Sequence, residues 1–271
     1  MLVMNRQTDL PLVLHAQAEP LALRLSHERL AARIDLPHGR PRRAPLLALH
    51  GISRDANAIR RGFLAETLGS GRVLVTPRFG RKHWPHFQRI GRARPDLAVL
   101  ELLAQAGRHG DFDTGKFALF GYSGGAQFVH RFAMLYPGRV AALHVAAAGW
   151  YCLPDPTVAW PAGLGRAKGP VAPIANLKLA QLDAFLRLPV RLYVGTRDDA
   201  REPALRQGRR LDAIQGRTRI ERAQNYLLAF ANAARQRGIR PDISLTLLPG
   251  CGHDFTECAR EGGLARLVCA S

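Results

Sequence analysis

The stretch Gly121-Tyr122-Ser123-Gly124-Gly125 follows the apolar run 117–120 and leads into residues 126–136, a segment with the composition of a helix. A strand that turns abruptly into a helix through small residues narrows the choice of fold sharply. Such a turn lifts a serine hydroxyl clear of the end of a parallel sheet, and the flanking glycines leave room for a tight backbone and an approaching carbonyl. Ser123 is therefore the candidate nucleophile. Gly125 is the position at which the helix packs closely behind it.

The rest of the chain repeats the same alternation. Apolar runs at 46–49, 73–75, 116–120, 140–148, 190–194 and 243–248 read as strands. Helices are expected at 56–68, 97–106 with Asp96 as its cap, 126–136, 203–214, 219–237 and 255–269. Two short segments, 21–25 and 30–36, read as antiparallel edge strands before a turn-rich stretch at 37–45. Strands separated by helices of ten or more residues predict an α/β fold with a mainly parallel central sheet covered on both faces. Residues 149–188 break the pattern, being rich in Pro, Gly and Trp at the start and helical only around 176–185. They are expected to form a small lid or insertion near the site, within a single domain spanning 1–271.

Composition bounds the function. Thirty-nine Lys and Arg against twenty-one Asp and Glu give a formal charge of +18, and a field of that sign favours anionic substrates or surfaces. The basic residues are scattered and show no recognition-helix pattern, zinc-finger spacing or aromatic-interleaved basic run, so nucleic-acid binding is not expected. Residues 1–20 carry Arg6, Asp9, His15 and Glu19 and lack the uninterrupted core of a secretory signal. No stretch is long and apolar enough to span a bilayer. A cytoplasmic protein with Cys152, Cys251, Cys258 and Cys269 as reduced thiols is the expectation.

A serine nucleophile needs a general base, and histidine, with its pKa near neutrality, is the natural one. His253 stands just beyond the last strand in Gly250-Cys251-Gly252-His253, where the glycines permit a sharply folded approach to Ser123. The orienting carboxylate is sought at a third strand end. Gly195-Thr196-Arg197-Asp198-Asp199 supplies it, with Asp198 preferred for its spacing and Asp199 its direct rival. The chain order Ser, Asp, His agrees with one of the three common serine-hydrolase architectures. Developing negative charge on the carbonyl oxygen needs backbone donors. The Gly124 N–H at the helix start is one; the turn His50-Gly51-Ile52-Ser53 supplies the second, from Ile52 with Ser53 close behind. His50 is assigned to bracing that turn.

On His50-Gly51, Gly121-Tyr122-Ser123-Gly124-Gly125, Gly195 to Asp198 and Gly252-His253, residues 44–270 resemble the alpha/beta-hydrolase superfamily. Within it the ending Ser123-Gly124-Gly125 is similar to polyester-depolymerase-like enzymes, feruloyl-type serine esterases and prolyl-oligopeptidase-like peptidases. The resemblance implies a three-layer sandwich and a carboxylic ester hydrolase that acylates Ser123. Release of the alcohol and attack by water, with His253 as base, complete the cycle. No cofactor and no metal is implied.

Substrate preference is read from the loops. Trp150, Tyr151 and Trp160 on the insertion are candidates to line an acyl or aromatic pocket, with packing as the alternative. Arg54 and the basic residues at 78–82 follow strand ends, the side on which open parallel sheets form sites, and favour a small-molecule ester that is anionic; an exposed basic rim is the alternative. Small, aryl or short polyester-type esters lead, while a peptidase or amidase of the same fold and a catalytically silent binding protein stay open. Two patterns are rejected. Residues 110–116 approximate a nucleotide loop, but Phe117 replaces the hydroxyl and the lysine precedes a strand. Cys251, His253 and Cys258 fall short of a closed zinc set and would consume the proposed base.

Overall fold

The structure, a computed structural model, describes residues 22–27, 30–91 and 93–271. Two expectations therefore lie outside it: the start of the first edge strand at Leu21, and the whole of the N-terminal segment 1–20.

Eight strands form one sheet in the order β1-β2-β4-β3-β5-β6-β7-β8. They are β1 (Ala22–His27), β2 (Leu30–Asp35), β3 (Leu46–Leu49), β4 (Leu74–Arg78), β5 (Phe117–Tyr122), β6 (Val140–Ala146), β7 (Val190–Gly195) and β8 (Ile243–Leu248). From β4 through β8 every neighbouring pair is parallel, while β1, β2 and β4 pair antiparallel at one edge. The helices are α1 (Ala56–Gly69), α2 (Pro95–Gly110), α3 (Gly124–Leu135), α4 (Ala172–Ala180), α5 (Leu182–Leu186), α6 (Arg209–Gln215), α7 (Arg219–Arg235), α8 (Phe255–Arg260) and α9 (Leu264–Ala270).

The strand period of two places the helices on the faces. Leu47, Leu49, Phe117 and Leu119 join one core with Val99 of α2, Phe128 and Phe132 of α3 and Phe230 of α7. Leu46, Ala48, Ala118 and Phe120, one residue out of phase, join the other with Phe63 of α1, Phe255 of α8 and Val268 of α9. The central strands are buried on both faces, as their unbroken apolar runs require. The result is a three-layer α/β sandwich. Among the described residues no helix is long and apolar enough to cross a membrane.

Some element boundaries differ from the sequence expectation. The helix expected at 203–214 begins only at Arg209; residues 201–208 form a loop held by the Arg201–Asp212 ion pair and by the Gln207 amide donating to the Arg201 and Glu202 carbonyls. The helix expected at 176–185 is two, α4 and α5, broken at Gln181. The closing helix also splits, between α8 and α9. There a Cβ on Gly262 would come within 2.8 Å of Cys251 Sγ and the Cys258 carbonyl oxygen, and Gly263 takes φ 63°. Asp96 does not cap α2. It is buried inside the first turn, accepting from the Arg94 guanidinium at 2.7 Å and the Tyr136 hydroxyl at 2.6 Å.

Candidate active site

Ser123 stands between the central strand β5 and α3 with φ 53° and ψ −110°, a left-handed backbone that a non-glycine residue adopts only under constraint. The constraint is visible. Its N–H donates to the Ala146 carbonyl at 2.9 Å, and its carbonyl accepts from Gln127 N–H at 3.1 Å. The flanking glycines are required by contact: a Cβ on Gly121 would sit 2.4 Å from the Gly125 carbonyl, and one on Gly125 2.6 Å from the Leu49 and His50 carbonyl oxygens.

His253 reaches Ser123 from the loop after β8. Its Nε2 lies 3.1 Å from Ser123 Oγ and its Nδ1 2.8 Å from Asp198 Oδ2. The imidazole stacks on the Tyr122 ring at 5.3 Å. The loop is pinned from two sides. Gly252 N–H donates to Glu257 Oε2 at 2.6 Å, while Asp254 caps α8 by accepting from Glu257 N–H. On the other side Gly195 is pressed against the Cys251 carbonyl, where any Cβ would come within 2.2 Å. That contact holds the ends of β7 and β8 together and so sets His253 beside Asp198.

Asp198 is buried and takes the hydrogen bond with the imidazole, whereas its rival Asp199 is exposed. The second Asp198 oxygen, Oδ1, accepts from Arg219 Nη1 at 2.8 Å. Arg219, itself buried at the start of α7, also faces Glu202 at 3.5 Å. Sequence reasoning missed Arg219. Thr218, which caps α7, and Glu221 three residues on mark the helix start, but nothing in the sequence pairs that start with β7.

The turn Gly51-Ile52 lies against Ser123. A Cβ on Gly51 would meet Ser123 Cβ at 3.3 Å, and one on Gly124 would meet Ile52 N at 3.2 Å. The backbone nitrogen of Ile52 therefore lies close to Gly124, the residue that follows Ser123. His50 braces this turn. Its Nδ1 is 2.7 Å from the Gly51 carbonyl and its Nε2 accepts from Phe79 N–H at 3.0 Å, which fixes the neutral tautomer with the proton on Nδ1. Burial, aided by the positive charge of Arg54, lowers the His50 pKa to about 4.

A cleft of about 330 Å³ opens over Ser123 and His253, walled by Ile52, Asp55, Ala204 and Asp254. The residues expected to bind substrate are not on that wall. Tyr151 is fully buried and stacks on Tyr226 at 4.3 Å, so it belongs to the core. Arg54 turns inward, donating to the Phe79, Trp84 and Pro85 carbonyls and stapling the loop 79–85 to the Gly51 turn. Three of its N–H donors are engaged by backbone carbonyls, and it does not line the cleft over Ser123, which corrects the expectation of a substrate-facing cation. Trp150 and Trp160 line a separate cleft that includes residues 206–211. The basic residues Arg78, Arg81 and Lys82 are an exposed rim.

No protein-family model matches the chain, and no curated protein matches it in sequence. Solved structures do. Poly(aspartic acid) hydrolase-1 from Sphingomonas sp. KT-1 superposes with a TM-score of 0.77 at 22% identity, over 92% of this chain and 98% of that one. LpqC, a poly(3-hydroxybutyrate) depolymerase from Bordetella parapertussis, gives 0.75 at 25% identity over 94% and 90%. An S-formylglutathione hydrolase from Agrobacterium tumefaciens gives 0.55 at 16% over 92% and 94%. The structural neighbours include hydrolases, depolymerases and esterases, and the fold they share with this chain is the alpha/beta-hydrolase fold.

Proposed function

We propose that this chain of alpha/beta-hydrolase fold is a serine hydrolase, a carboxylic ester hydrolase working through an acyl-enzyme. The observation that carries the reading is the chain of contacts Ser123 Oγ, His253 Nε2, His253 Nδ1 and Asp198 Oδ2, at 3.1 and 2.8 Å. In this reading His253 Nε2 takes the Ser123 proton as Oγ attacks the ester carbonyl, and buried Asp198 holds the imidazole so that Nε2 faces the nucleophile. The Ile52 and Gly124 N–H groups receive the charge on the carbonyl oxygen. Gly124 begins α3, where a helical N–H has no carbonyl partner of its own. His253 then protonates the departing alkoxide, and a water deprotonated by the same nitrogen releases the acid.

The ester reading takes support from the depolymerase and esterase neighbours and from the volume of the cleft, about 330 Å³. The exposed side chain of Ile52 offers an apolar wall to a short acyl or alcohol group. A panel of 4-nitrophenyl acetate, butyrate and octanoate beside 4-nitroanilide amides tests it. Turnover of the esters that is lost in Ser123→Ala is expected. Faster cleavage of the anilides assigns an amidase, and ester turnover that survives Ser123→Ala refutes the nucleophile.

A further inference from the structure

The cleft beside the catalytic one has an unusual lining. It has a volume of about 360 Å³ and is lined by Trp150 and Trp160 together with Arg206, Arg209 and Arg210, and no acidic residue lines it. The acidic groups nearby are already taken: Asp212 pairs with Arg201 and Arg222, while Asp198 and Glu202 pair with Arg219. Arg206, Arg209 and Arg210 are left without a carboxylate among the described residues.

The cleft wall is also ordered. Arg206 lies 4.6 Å from the centre of the Trp150 ring, and the buried Arg131 lies 4.2 Å from the same ring. Arg131 Nη2 is buried with no hydrogen-bond partner. Lys178, equally buried, sits 4.8 Å from the Trp160 ring with its amine unpartnered. Each indole thus carries a cation against it, and Arg206 stands held over a plane with its N–H edge available to a ligand.

The two clefts share a ridge. Ala204 walls the catalytic cleft and Arg206 the other, while Leu205 between them is buried against Gly149. Two residues of extended chain span only about 7 Å. Their charges are opposed: Asp55 and Asp254 line the catalytic cleft, which has no Lys or Arg.

We infer that the Trp150–Arg206–Arg209–Arg210 cleft is a subsite for the carboxylate of an extended, anionic acyl chain whose scissile carbonyl lies at Ser123. The inference rests on the proposed hydrolase reading and adds a substrate class to it, a carboxylate-bearing oligomer. Aspartates on one side and arginines on the other give that substrate a single direction across the nucleophile.

Hexaglutamate is the probe, used as an inhibitor of 4-nitrophenyl butyrate hydrolysis. Competitive inhibition of the wild type is expected. In Arg206→Glu/Arg209→Glu/Arg210→Glu, inhibition should weaken at least about tenfold beyond any change in ester turnover. Arg108→Glu/Lys116→Glu/Arg240→Glu alters net charge equally at the opposite end of the strands, and its inhibition should stay within about threefold of wild type. No inhibition of the wild type, or equal loss in both triple variants, overturns the subsite. If the neutral ester is not hydrolysed, the hydrolase reading fails on its own. Anisotropy of fluorescein-labelled hexaglutamate on Ser123→Ala and the two triple variants then decides the cleft independently.

Discussion

Asp198 divides its carboxylate between two partners, giving Oδ2 to His253 Nδ1 and Oδ1 to Arg219 Nη1, each at 2.8 Å. Both Asp198 and Arg219 are buried, so the carboxylate cannot rotate toward water without abandoning a charged partner. Arg219 is thereby a positioning residue for the imidazole. Arg219→Met is expected to lower kcat by about 10–100-fold with KM within about threefold. Arg219→Lys should recover part of the loss. A KM effect alone, or no rescue by lysine, assigns Arg219 to packing.

The two adjacent aspartates separate cleanly. Asp198→Asn is expected to cost about 10³–10⁴ in kcat by disturbing the tautomer and orientation of His253. Asp199, which is exposed, should cost less than about threefold. Steady-state kinetics on 4-nitrophenyl butyrate reads both; equal losses contradict the assignment.

His50 ties stability to pH. Its proton affinity is depressed by burial to about 4 in the native state against an ordinary value of 6.5. Between those values the unfolded chain binds a proton that native His50 refuses, so stability is complete above pH 6.5 and is lost as pH falls through about 4. The contribution is on the order of 3 kcal/mol. Urea unfolding of wild type and His50→Gln from pH 7 to 4 should show a shallower acid decline in the variant.

Lys178 acts in the same sense at higher pH. Burial lowers its amine to about 8 from 10.5, and its nitrogen has no hydrogen-bond partner. Stability from this group therefore rises as pH climbs from about 8 to 10.5, and below pH 8 the buried charge is a net cost. Lys178→Met is expected to stabilise the protein at pH 7 by about 1–3 kcal/mol and to flatten that rise. Destabilisation at pH 7 would show that the ammonium is well solvated or paired.

The turn behind Ser123 leaves no space for a methyl group. Gly125→Ala would place Cβ 2.6 Å from the Leu49 and His50 carbonyl oxygens. A cost of about 1–3 kcal/mol follows from overpacking, measured by thermal unfolding. Displacement of the His50-Gly51-Ile52 turn should reduce kcat further than the stability loss explains.

What the sequence carried well was whatever depends on strand ends. Ser123, Asp198 and His253 each follow an apolar run, and the parallel sheet delivers all three strand ends to one edge, so local pattern is enough to bring them together. Side-chain direction in the irregular segments was not legible. Tyr151 and Trp150 are neighbours on one loop, yet one packs on Tyr226 in the core and the other walls a cleft. Arg54 reads as a free cation in sequence because its acceptors are backbone carbonyls more than twenty residues away. Arg219 was hidden by distance along the chain, since the carboxylate it pairs with belongs to Asp198. Its partner lies across a loop whose path is set by ion pairs, not by periodicity.

The account rests on Ser123 being an activated nucleophile. The most direct measurement is reaction of the folded protein with a fluorophosphonate, followed by intact and peptide mass. The account predicts a single stoichiometric adduct on the peptide carrying Ser123, absent in Ser123→Ala and strongly slowed in His253→Ala. A folded sample left unmodified by both a large and a small serine-reactive phosphonate, or labelled at another serine, would contradict it.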